Sequence, residues 1–244
     1  MNTLPAPIAL DHLRRITERA GALPDDLKSQ LDGPFVSFRD HHWDDARTRT
    51  VYVGQETREW TGRFLDDLGQ FDEFINDSQR AFADFNFGEG LRHAPFWGAH
   101  DWLVSALENG NRSAIPWLNV SKASAPYNDY SDASVRNLNG DHRNALLDYQ
   151  RGQVSAEICE LGPNAVIFVT GPNYDCIIDN EFEGLSREPV DGFNLRKLCR
   201  LRHDRLPPNS FRTYHPNYLR RAKLEEPYVK RLVELIRVFK VNDI

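Results

Sequence analysis

Four short apolar runs, each stopped by a polar turn, constrain this chain more than any other feature of its sequence. Residues 50–53 stop at Gly54, Gln55 and Glu56, and residues 113–120 run into a polar loop through Ser121, Lys122 and Ser124. Residues 165–169 stop at Thr170 and Gly171, and residues 210–214 stop at His215 and Pro216. Short runs with little polar alternation fit strands covered on both faces, as in a parallel sheet flanked by helices. Helical patterns lie between or after them. They run over 97–107, over 150–161 where Gly162 and Pro163 close the helix, and over 226–239 where Val229, Leu232, Val233, Ile236 and Phe239 share one side. Residues 64–87 read as helix mixed with irregular structure. The alternation predicts an α/β fold, a three-layer αβα sandwich around a central, mostly parallel four-stranded sheet. Ahead of it, Ala9, Leu10, Leu13, Ile16 and Ala20 recur at helical spacing, and a second short helix follows Pro24 over 25–31. These predict an N-terminal helical extension, residues 1–48, packed on a main domain of residues 49–244.

The full length of 244 residues suits one large core with a modest extension. With 40% hydrophobic and 27% charged residues, the composition excludes fibres and wholesale disorder. No apolar stretch is long enough for a membrane span and the start lacks a secretory pattern, so a cytoplasmic protein without membrane contact is expected. Cys159, Cys176 and Cys199 are widely spaced, without the close pairs of a zinc or iron–sulfur site, and read as buried free thiols. The net charge of -6 argues against nucleic acid, but basic residues crowd the chain from Arg187 onward, so one face can still be positive.

In doubly wound sheets, ligands bind beyond the carboxyl ends of the strands. Here those ends deliver the Glu56 carboxylate, the amides of Gln55, Asn119, Asn173 and Asn217, and the His215 imidazole. Such a set can recognise a planar hydrogen-bonding ligand and do acid–base or electrostatic work. Singly, each residue has a plainer explanation, because a histidine before proline is commonly a cap and an asparagine ending a strand is commonly a turn residue.

The motifs VGQET at 53–57, PFWG at 95–98, LNVSK at 118–122, VIFVTGPN at 166–173 and TYHPN at 213–217 resemble, in order and spacing, those of the uracil-DNA glycosylase superfamily. The resemblance spans residues 49–240. It implies a DNA glycosylase that flips a pyrimidine nucleotide out of DNA and hydrolyses its N-glycosidic bond, leaving an abasic site. It further implies a monomer that needs no metal or organic cofactor. Glu56 and His215 match the catalytic positions, the first acting on water and the second facing the pyrimidine O2. Gln55, Phe96 and Asn119 match base-binding positions, Phe96 by stacking and Asn119 by reading the pyrimidine edge, and Asn217 in the last motif is a further candidate for substrate binding. Leu219 matches the wedge that fills the vacated stack, while Lys122, Arg220 and Arg221 are expected at the DNA. The chemistry agrees with these roles: bond cleavage builds positive charge on the sugar and negative charge on the departing base, and stacking offsets the cost of extrusion.

Departures from the family pattern bear on substrate. The iron–sulfur cysteines of some branches are missing, and the last motif reads HPN where an HPS-type turn is usual. The strict uracil enzymes continue the first turn with a proline and a tyrosine that blocks a 5-methyl group, whereas Thr57 and Arg58 stand here. Arg58 can donate to a hydroxyl or sugar at C5, or point to solvent or phosphate. The expected substrate is therefore a 5-modified pyrimidine, of the hydroxymethylcytosine or glucosylated type found in phage DNA and suited to antiviral defence, or uracil itself. Two rival readings stand beside this one. The string FRDHHWDD at 38–45 offers ligands for a metal-dependent phosphoesterase, and the same fold can serve as a DNA-binding module without catalysis.

Overall fold

The computed structural model describes residues 4–57, 60–125 and 134–240, the side chains of Phe239 and Lys240 excepted. Near the N-terminus β1 (Ala6–Pro7) pairs antiparallel with β2 (Phe38–Arg39), and α1 (Leu10–Arg19) and α2 (Asp25–Lys28) run between them. The central sheet contains β3 (Thr50–Gly54), β4 (Trp117–Asn119), β5 (Ala165–Phe168), β6 (Ser186–Pro189), β7 (Leu198–Arg202) and β8 (Asn209–Thr213). Their order is β4-β3-β5-β8-β7-β6. The first four are parallel; β7 pairs antiparallel with β8, and β6 antiparallel with β7.

The sheet is thus mixed and six-stranded, not four-stranded as expected; the four apolar runs form its parallel part. The added pair escapes a reading based on apolar runs because it is charged, with Arg187, Glu188, Arg200 and Arg202 on strands whose outer positions face solvent. Glu188 and Arg202 form a 2.8 Å ion pair across that hairpin. Strand β4 is shorter than the expected 113–120, since residues Arg112–Ala114 form a 3-10 turn and Pro116 has no N–H to give to a ladder.

Helices α3 (Phe71–Phe85), α4 (Pro95–Leu107), α5 (Gly140–Gln150), α6 (Gln153–Leu161), α7 (Asp175–Glu181), α8 (Pro216–Arg221) and α9 (Glu225–Lys240) complete the fold. Successive strand residues point to opposite faces, and each face has its own core. Val51, Val53, Val166 and Phe168 pack with Leu13 and Ile16 of α1, Phe74 of α3 and Ile158 of α6. Tyr52, Ile167 and Val169 pack with Leu103, Val104 and Leu107 of α4 and with Val229, Leu232 and Ile236 of α9. Helices therefore cover both faces of the sheet. The N-terminal segment is no loose appendage, because Leu13, Ile16, Ala20 and Leu27 belong to the same core as Val51.

All three cysteines are free, but only Cys199 is buried; Cys159 and Cys176 are exposed, contrary to the expectation from sequence. Among the described residues no helix is long and apolar enough to cross a membrane.

Candidate functional site

Because β3, β4, β5 and β8 are parallel, their carboxyl ends open on one side, and a cavity of about 620 Å³ lies there. Gln55, Glu56 and Thr57 enter it from β3, Asn119 from β4, and His215 and Asn217 from the turn after β8, with Phe96 from α4. Trp60, Phe85, Trp97 and Trp117 give it an aromatic wall.

Glu56 is held on both oxygens. Its Oε1 accepts from the Tyr174 hydroxyl at 2.6 Å and its Oε2 from the Val135 backbone N–H at 3.1 Å. Ser134 Oγ lies 3.0 Å from the same Tyr174 hydroxyl. Burial pushes the Glu56 carboxyl above the ordinary carboxylate range, while the bonds from Tyr174, Ser134 and Val135 and the charge of Arg136 oppose that rise. Burial, with Glu56 beside it, raises the Tyr174 phenol, which keeps its proton and acts as a donor.

Asn119 sits two residues beyond Trp117 on one strand, so the two side chains share a face. Trp117 Nε1 donates to Asn119 Oδ1 at 3.1 Å, and Asn119 Nδ2 is buried without a hydrogen-bond partner. Gly54 allows this approach: a Cβ there would collide with Asn119 Oδ1 and lie 3.0 Å from the Phe96 ring. Phe96 occupies the first turn of α4 just after Pro95, and its carbonyl accepts from the Tyr52 hydroxyl at 3.1 Å. Its ring stacks near that of His215, with centroids 5.8 Å apart and planes at 21°. His215 also caps α8: its Nδ1 accepts from the Asn217 N–H at 3.2 Å, so the neutral ring carries its proton on Nε2. Gln55 Nε2 donates to the Thr170 carbonyl at 2.7 Å and ties the ends of β3 and β5 together.

The structure gathers Gln55, Glu56, Phe96, Asn119, His215 and Asn217 in one cavity, but not the residues expected at DNA. Lys122 is fully buried, its Nζ 2.6 Å from Glu157 Oε2 and 2.8 Å from Oε1, and cannot reach a phosphate. Leu219 is 2% exposed and belongs to the core beneath α9, so it is no wedge. Arg220 grips Glu225 at 3.0 and 3.1 Å and donates to the His93 carbonyl at 2.9 Å, bracing α8 against the start of α4. Arg221 is exposed. Arg58 lies outside the described residues. Much of the C-terminal positive charge is internally paired, as with buried Arg212 on Asp175 and Arg187 on Asp179.

Sequence reasoning missed Tyr174, Ser134, Arg136, Trp60 and Trp117. Tyr174 directly follows the quoted VIFVTGPN motif, whereas Asn173 within that motif is exposed. Trp117 precedes Asn119 by the two residues that put side chains on one face of a strand, a signal the sequence does contain. The ligand atoms of Asp40, His41 and His42 lie within 4.8 Å of one another. Asp40 there caps a short 3-10 turn through the His42 N–H and pairs with His41 at 2.6 Å, and none of the three lines the cavity. Neither a scan against protein-family models nor a search of curated proteins finds a match to this chain.

Proposed function

We propose that this chain is a DNA glycosylase that hydrolyses the bond between deoxyribose and a flipped pyrimidine, with the parallel block of its sheet arranged in the manner of the uracil-DNA glycosylases. One observation carries the reading. Asn119 Nδ2 is buried and unpartnered at a cavity that also holds the half-buried Glu56 carboxylate and an aromatic ring, and an unpartnered donor in such company is explained by a ligand that accepts from it. A flipped base would supply the acceptor, and Phe96 would supply the stacking surface that offsets unstacking, about a few kcal/mol.

In the reaction the bond from C1′ to the ring nitrogen breaks, with its electrons leaving on the base. Ionised Glu56 stabilises the positive charge on the sugar, orients the water that adds to C1′ and takes the proton that this water loses, which is returned to the departing base anion. The Nε2–H of His215 donates to the O2 of the departing base, where negative charge gathers. Tyr174 and the Val135 N–H hold the Glu56 carboxylate in place. The cavity of about 620 Å³ has room for a base enlarged at C5, of the hydroxymethylcytosine or glucosylated type, and also for uracil, the simpler alternative. On this reading the protein acts as a cytoplasmic monomer on DNA, and its defence role follows from the modified bases of phage genomes. Burial of Lys122 and Leu219 removes them from the DNA contact, leaving on α8 the exposed Arg221 and Arg220, the latter paired with Glu225.

The test is mass spectrometry of bases released from DNA containing uracil, cytosine, hydroxymethylcytosine or glucosylated hydroxymethylcytosine. Release of one of these, lost in Glu56→Gln and Asn119→Ala, is the expected result. Tight DNA binding with no release from any substrate would overturn the catalytic reading and leave a binding module.

A further inference from the structure

We infer that Trp117 decides which pyrimidine edge the cavity accepts, by holding the Asn119 amide in one of its two orientations. The inference rests on the reading that the cavity takes a pyrimidine. A primary amide shows an acceptor on one side and a donor on the other, and a half-turn exchanges them. A 4-oxo pyrimidine offers a carbonyl and an N3–H, while a 4-amino pyrimidine offers an amine and a bare N3, so a freely turning amide would serve both.

The Asn119 amide is not free to turn. The indole nitrogen of Trp117 is a donor only, and it lies 3.1 Å from Oδ1. A half-turn would set Nδ2 against that indole N–H, two donors face to face, with Trp117 only 6% and Asn119 only 1% exposed. The indole is itself immobile, since its ring packs 4.6 Å from Phe35, 4.9 Å from Trp97 and 5.7 Å from Trp60 by ring centroids. Its backbone is fixed as well, in register with Tyr52 in the sheet. Nδ2, left without a protein partner, is then the fixed donor of this amide toward the ligand. Trp117 is a positioning residue: it acts through Asn119, and its effect is on choice between bases more than on rate.

The experiment compares 4-oxo with 4-amino pyrimidines that carry the same 5-substituent: uracil with cytosine, and 5-hydroxymethyluracil with 5-hydroxymethylcytosine. For each pair the ratio of kcat/KM for release from DNA is measured, together with equilibrium binding of the free bases. The full chain is used as wild type, as Trp117→Phe, and with 3-benzothienylalanine at position 117, an isostere that lacks only the N–H and keeps the packing. Both variants are expected to bring the wild-type ratio toward unity by about tenfold or more, the scale of one buried unmatched hydrogen bond. Release with an unchanged ratio in both variants overturns the inference and leaves the glycosylase reading intact. Free-base binding whose selectivity falls in the variants, with no release from any DNA, supports the inference and overturns the catalytic reading. Absence of both release and binding overturns both.

Discussion

Lys122 gives the sharpest contrast between what its sequence context suggests and what its surroundings permit. In the structure its ammonium is enclosed with Glu157, both side chains fully buried, with Ser37 Oγ 3.3 Å away and Gln153 Nε2 donating to Glu157 at 3.1 Å. Replacing Lys122 by Met leaves a buried carboxylate without its counter-charge, which costs about 3–5 kcal/mol. For a chain of this size each kcal/mol lowers Tm by about 2–4 °C, so the variant should melt about 6–20 °C below wild type. Burial already raises the Glu157 carboxyl, with Lys122 opposing the rise, and removing Lys122 raises it further. A carboxyl with a raised folded pKa destabilises only where it is ionised in the unfolded chain. The deficit should therefore be largest near neutral pH and shrink as pH falls toward the ordinary carboxylate value. Scanning calorimetry from pH 5 to 8 on wild type, Lys122→Met and Lys122→Met/Glu157→Leu reads this directly, and the double variant should recover most of the loss. A Lys122→Met protein that melts with wild type, yet binds DNA less tightly with a shallower salt slope, would refute the argument and return Lys122 to a phosphate contact.

Other outcomes follow from the same geometry. Glycosylase activity should rise with pH along an acid limb displaced above the ordinary glutamate value, because burial raises Glu56 and only its ionised form serves; a limb at or below that value in single-turnover rates would count against the role. Gly54→Ala should fold at a cost of about 1–3 kcal/mol, yet lower kcat/KM about 100-fold by pushing Asn119 and Phe96 aside together; wild-type kinetics would show that their placement does not matter. Leu219→Ala should cost about 2–5 kcal/mol of stability by leaving a cavity, whereas an unchanged Tm with activity lost only on duplex DNA would restore the wedge. Treatment with a chelator should leave base release unchanged, and a loss reversed by added metal would redirect attention to Asp40, His41 and His42.

The parallel strands were legible because burial on both faces leaves a mark that needs no partner to interpret: Val51, Tyr52 and Val53, or Val166, Ile167 and Phe168, can only sit between two layers. The β6–β7 hairpin carries no such mark. Its stability comes from cross-strand pairs such as Glu188 with Arg202 and from Arg200 over the Phe211 ring, 4.8 Å from its centroid, a contact that exists only once β8 is in place. The site divides along the same line. Gln55, Glu56, Asn119 and His215 stand at strand ends, where position in the sequence translates directly into position at the cavity.

What the sequence left out is the apparatus that constrains those residues. Tyr174 and Val135 reach Glu56 from segments 118 and 79 residues away, so no local pattern announces them. Positive charge misleads in the same way. Lys122 and Arg212 look like exposed cations in a list of residues, but each meets a carboxylate in the interior, Glu157 for the first and Asp175 for the second. Burying either charge alone would be prohibitive, so the pairing, not the presence, of a cation decides whether it faces a partner molecule. That reasoning extends to Asn119. Its Oδ1 is matched and its Nδ2 is not; other buried donors, Trp60 Nε1 among them, also lack partners, but Asn119 Nδ2 stands at a strand end beside Glu56 and Phe96, and that combination points to where a ligand belongs.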